Sequence, residues 1–93
     1  NRNNFNIKNN NMATYKFPDF QTEFINPTIT MNGDAGTRIN NNVPEDVAYC
    51  DILIETPNTK KSAFRLEGSP KPVDWTVQEL SIWVAANLVK YEI

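Results

Sequence analysis

Histidine is missing altogether from this chain of 93 residues. That one absence removes Ser-His and Cys-His nucleophile pairs, His-containing zinc sites and the side chain best suited to moving protons near neutral pH. Cysteine is almost as scarce. Cys50 stands alone, so no disulfide can form within the chain, and cysteine usage implies no oxidising compartment. Gly33 and Gly36 lack the Gly-Lys-Ser/Thr that completes a phosphate loop and the strand-to-helix setting of a dinucleotide site. No apolar run approaches the roughly 18 residues that cross a bilayer, and no basic-then-apolar start resembles a signal peptide. The expectation is a soluble chain without a membrane partner. Basic clusters are also wanting, since Lys60-Lys61 is the only basic doublet. Nucleic-acid affinity draws mainly on clustered Lys and Arg, so no nucleic-acid partner is expected.

Asparagine, by contrast, is abundant at the start, with seven among residues 1–11 and only Phe5 and Ile7 as sizeable apolar side chains. Such a stretch buries too little surface to offset its ordering entropy, so residues 1–14 are expected to be a disordered tail, either an upstream extension or an expression remnant. Residues 15–93 then form one domain, because the chain is too short for two ordinary cores. Arg2 and Lys8 are the only charges in residues 1–11. Of nine basic and eleven acidic residues, seven and eleven remain beyond that stretch, a mildly acidic balance.

Along residues 20–31, Phe20, Phe24, Ile25, Ile29 and Met31 alternate with threonines in a composition suited to extended structure. Pro27 cannot donate to a ladder, so the segment is either an edge strand, the preferred expectation, or two short strands joined at a bend. Residues 32–45, with two glycines, Pro44 and Asn40 to Asn42, show no periodicity and read as a long loop. Residues 46–56 alternate clearly. Ala48, Cys50, Ile52 and Ile54 form a core face; Val47, Tyr49, Asp51, Leu53 and Glu55 form a second face, apolar enough to be half covered. Pro57-Asn58 turns the chain into a second strand over residues 62–68. The preferred register sets Ile52 against Phe64, Cys50 against Leu66, Asp51 against Arg65 and Glu55 against Lys61, keeping apolar partners together.

After the stiff Gly68-Ser-Pro-Lys-Pro72 connector, Thr76-Val-Gln-Glu79 has the spacing of a capping box. The helix it opens carries Leu80, Val84 and Leu88 on one stripe, with Val77, Trp83 and Tyr91 flanking it. Ile82, Ala85, Ala86 and Val89 widen that surface beyond what one sheet face needs. The fold class is therefore α+β: a small antiparallel sheet, made of an edge segment and a β-hairpin, packed against one C-terminal helix.

No chemistry-bearing constellation emerges. Asn32, Asp34, Asn40 to Asn42, Glu45 and Asp46 are oxygen-rich, yet no start within the loop supplies the alternating ligands, sixth-position glycine and twelfth-position glutamate of an EF-hand. Asp51 and Glu55 are more simply cross-strand partners of Arg65 and Lys61 than a glycosidase pair. Cys50 reads as a small buried hydrophobe. Neither an enzyme nor a cofactor or metal site is expected. Candidate interface residues are Val47, Tyr49, Leu53, Trp75 and Trp83, the two tryptophans being either core or anchors for a partner.

An aromatic N-terminal segment, a Thr-rich strand and a short hairpin before a terminal helix together resemble small accessory or decoration proteins of tailed bacteriophages. The resemblance implies a structural or protein-interaction module that self-associates or binds another protein, located in a virion; without it the expectation is a cytoplasmic protein. The alternative expectation is a small-ligand or carbohydrate-binding domain using Tyr49, an exposed tryptophan and the Asn-rich loop.

Overall fold

The computed structural model describes residues 6–7, 13–38, 47–57 and 60–93. Its elements run β1 (Asn6–Ile7), β2 (Thr14–Tyr15), β3 (Phe24–Ile25), β4 (Thr28–Arg38), β5 (Val47–Glu55), β6 (Ser62–Gly68), α1 (Val77–Leu88) and a 3-10 turn, Val89–Tyr91. An antiparallel sheet in the order β1-β4-β5-β6 packs one face against α1, and β2 and β3 form a separate small sheet. This is the α+β architecture expected from the sequence.

Alternation along β5 sets the layer order. Ala48, Cys50, Ile52 and Ile54 are all buried, joined by Phe64 and Leu66 of β6 and by Ile29 of β4. The hairpin adopts the expected register, with Cys50 opposite Leu66, Asp51 opposite Arg65 and Ile52 opposite Phe64. The ladder closes at Ile54 and Ser62, one step short of the anticipated Glu55–Lys61 pair. Asn58 and Thr59 of the expected turn lie outside the described residues.

Two expectations on the N-terminal side are overturned. The segment around Pro27 is not one edge strand: Asn26 adopts φ 49°, a left-handed value that asparagine tolerates, and the chain bends there from β3 into β4. β4 then lies between β1 and β5, pairing with both. Nor are residues 32–38 loop. They continue β4 through a bulge in which Asn32, Gly33 and Asp34 face the single residue Asp51. Gly33, at φ +91°, carries the turn of that bulge, which is why the local pattern shows no period. Residues 39–46, including Asn40 to Asn42, Glu45 and Asp46, lie outside the described residues.

The folded unit also reaches further toward the N-terminus than expected. Ala13 is 5% exposed, Thr14 pairs with Ile25, and Asn6–Ile7 pairs with β4. The C-terminal segment clasps this region: the Lys16 amide donates to the Tyr91 carbonyl at 2.9 Å and the Ile93 amide to the Thr14 carbonyl at 2.8 Å. Beneath the clasp, fully buried Phe17 packs against Phe64 and Tyr91, with ring centroids 4.9 and 5.2 Å away. Phe24 meets Phe17 edge-on, an arrangement that suits the ring quadrupoles.

Helix α1 starts where the capping pattern placed it. Thr76 is extended, and its hydroxyl accepts from the Glu79 amide at 3.2 Å. Leu80, Trp83, Val84 and Leu88 face the sheet. At the far end of β6 a Cβ on Gly68 would lie 2.0 Å from the Asn87 amide oxygen, so a larger residue there requires the Asn87 side chain, which donates to the Trp83 carbonyl, to move.

Candidate functional site

On the open face of the sheet, the odd-numbered positions of β5 and β6 project away from α1, beside the even-numbered positions of β4: Thr30 is opposite Leu53, Gly36 opposite Tyr49 and Arg38 opposite Val47. Arg65 grips Asp51 with two hydrogen bonds, Nε to Oδ1 at 2.7 Å and Nη2 to Oδ2 at 3.0 Å, and reaches Asp34 Oδ2 at 3.2 Å. Its guanidinium also lies 4.1 Å from the centre of the Tyr49 ring. Arg38 makes a second fork onto Glu67, at 2.7 and 2.9 Å. These planar, two-point contacts fix orientation better than a lysine would. Hydrogen bonds from Arg65 hold the Asp51 carboxyl below the usual carboxylate range, and those from Arg38 do the same for Glu67. In turn, each carboxylate makes its arginine harder to deprotonate.

Val47, Tyr49 and Leu53 are half-buried on this face. For Tyr49 the cover comes from the chain itself, Arg65 on the ring and Gly36 against its edge. The sequence pointed to the Asp51–Arg65 pair. It missed Asp34 and Arg38 because both lie in the stretch that reads as loop.

The two tryptophans part company. Trp83 is 7% exposed and donates from its indole nitrogen to the Pro70 carbonyl at 2.8 Å, so its ring is core and buttresses the connector. Trp75 is 40% exposed. Together with Val77 and Leu80 it forms one wall of a cleft of about 300 Å³, whose other wall is the β4 bulge at Met31, Gly33 and Asp34. Cys50 also lines this cleft, on the core side of β5. Burial, with help from the Asp51 and Asp34 charges, pushes its thiol up to about 11, so it is a poor nucleophile at neutral pH. Tyr49 projects from the other side of the sheet, and Asn40 to Asn42 lie outside the described residues. Tyr49 and Trp75, two of the elements proposed for sugar binding, are therefore not brought together.

A series of exposed apolar side chains lies elsewhere, on α1. Leu80, Trp83, Val84 and Leu88 are buried, whereas Ile82 and Val89 on the opposite side of α1 and its 3-10 extension are 58% and 62% exposed, with Ala85 and Ala86 exposed between them. Val77, at the start of the helix, is 60% exposed. No charged residue occurs from Leu80 to Val89. A helix apolar on both faces is ordinarily buried on both. The signal is legible in the sequence, since the same four residues widen the stripe beyond the sheet's needs, although the sequence's candidate interface is Val47, Tyr49, Leu53, Trp75 and Trp83.

Among the described residues no cluster of Cys, Asp and Glu could hold a metal ion, and no helix is long and apolar enough to cross a membrane. No protein-family model, curated protein or solved structure matches the chain.

Proposed function

We infer that this domain is a non-enzymatic protein-interaction module whose contact surface is the outer face of α1. The observation that carries this is the exposed series Ile82, Ala85, Ala86 and Val89, uninterrupted by charge. Contiguous apolar surface of this kind marks sites that bind other proteins. It supersedes the open face of β5, where Arg65, Asp51, Arg38 and Glu67 present ion pairs between the half-buried Val47, Tyr49 and Leu53. The resemblance to phage accessory proteins makes a virion the proposed setting. Genes for virion components beside this one would support that setting, and transport or glycan genes would remove it. A photo-reactive residue at position 82 tests the contact surface: protein adducts are expected in the producing cell, and their absence, with the variant folded, overturns the assignment.

The Trp75 cleft supports a second role, binding of a small ligand or sugar, because a concave site beside an exposed indole offers stacking and enclosure together. In a Trp83→Phe variant Trp75 is the only indole. Titration with a panel of glycans and small apolar ligands should then change its fluorescence, and an unchanged spectrum throughout removes this role.

A further inference from the structure

We propose that the outer face of α1 pairs with the same face of a second copy of this chain, the two helices antiparallel across a two-fold axis at the Ala85–Ala86 step. This rests on the interaction module described above and supplies the identity of its partner. A two-fold contact requires a patch complementary to itself. The exposed residues have that property. Outward from the Ala85–Ala86 bond, the first large apolar side chain that is exposed is the fourth residue in each direction, Ile82 on one side and Val89 on the other, the buried Trp83, Val84 and Leu88 lying between. Antiparallel pairing lays each Ile82 over the partner's Val89. It brings the alanines together at the crossing point, where short side chains permit the 8–10 Å approach of packed helices.

Charge selects the direction of pairing. Glu79 and Lys90 are the first charged residues on either side of the apolar series. An unbroken α-helix would set them roughly 20° apart; the 3-10 turn that carries Lys90 widens this to about 60°, still on one flank of the outer face. Antiparallel two-fold packing sets like flanks against each other, so each Glu79 meets the partner's Lys90. Parallel packing would bring the two copies of each charge level with one another. Lys90 already donates to the Glu67 carbonyl, but an ammonium has three donors, and two remain.

The size of the face sets the strength. With 12 residues, α1 is about 18 Å long. One helix face falls short of the roughly 800 Å² per partner of a stable complex, so association is expected to be weak and concentration-dependent.

Light scattering across a concentration series should show the mass rising from 10.6 kDa toward the dimer. Glu79→Lys and Lys90→Glu should each weaken association several-fold, and the double exchange E79K/K90E should restore it. Ala85→Cys should oxidise to a covalent dimer. Gln78→Cys, on the same face but far from the axis, should not, because a disulfide needs Cα atoms within about 7 Å. All four positions lie on the helix surface, and circular dichroism establishes that each variant is folded. A strict monomer at millimolar concentration overturns the proposal, as does cross-linking at 78 without cross-linking at 85. If photo-adducts at 82 contain other proteins while the chain stays monomeric, the dimer fails and the interaction module stands. Without adducts and without self-association, both fail.

Discussion

The hydrogen-bonded arginines of the open face give single residues a measurable role. Asp51 and Glu67 each accept two hydrogen bonds from one guanidinium, and both carboxyl groups are held below their ordinary range. A carboxylate whose folded value is depressed contributes stability above its unfolded value, about 4, and loses it as pH falls through the folded value, because the unfolded chain then binds more protons. Urea midpoints measured from pH 6 to pH 2 should fall with acidity, and Asp51→Asn should flatten that slope, leaving a residual dependence from Glu67. The Arg65 guanidinium itself stays charged across this window, so the titration belongs to the carboxylates. Screening by solvent keeps each exposed pair modest, which makes their main contribution register and orientation.

Among the elements, α1 depends on a single hydroxyl at its start. Thr76→Ala removes the acceptor for the Glu79 amide and should cost about 1 kcal/mol, measurable as a lowered thermal midpoint, while Thr76→Asp should retain most of the wild-type stability. This cap and the β5–β6 register could be read from sequence because both are local: a four-residue pattern in one case, facing alternations across one turn in the other. β4 could not. Its period is broken by Gly33 and Gly36, and what makes it a strand is pairing with β5, with the bulge at residues 32–34 absorbing the misfit. The packing of Ala13 was illegible for a related reason. Ala13 has no local signal, and its burial comes from the clasp of distant segments. The proposed contact surface was half legible, since the surplus of apolar helix positions was visible but which of them the sheet would cover was not.

For the molecule as a whole, Phe17 is the residue on which the two sheets and the C-terminal segment converge. Its ring touches Tyr15 and Phe24 from the small sheet, Phe64 from the large one and Tyr91 beyond the helix. Phe17→Ala leaves a cavity shared by all of them and should destabilise the domain by about 3–5 kcal/mol in chemical denaturation. Phe17→Leu, which refills most of the volume, should recover much of that loss.

The clasp itself has a consequence for how the chain reaches this state. The β4–β5 and β5–β6 hairpins join neighbours in sequence, whereas the bonds linking Lys16 to Tyr91 and Thr14 to Ile93 close a loop spanning nearly the entire chain. Loop-closure entropy opposes such contacts until the rest is in place, so in pulsed amide exchange during refolding the hairpins are expected to gain protection before the clasp. The edge of the small sheet is thus open while nascent chains mature, and that interval, rather than the finished fold, is when this protein is most exposed to mispairing with its own copies.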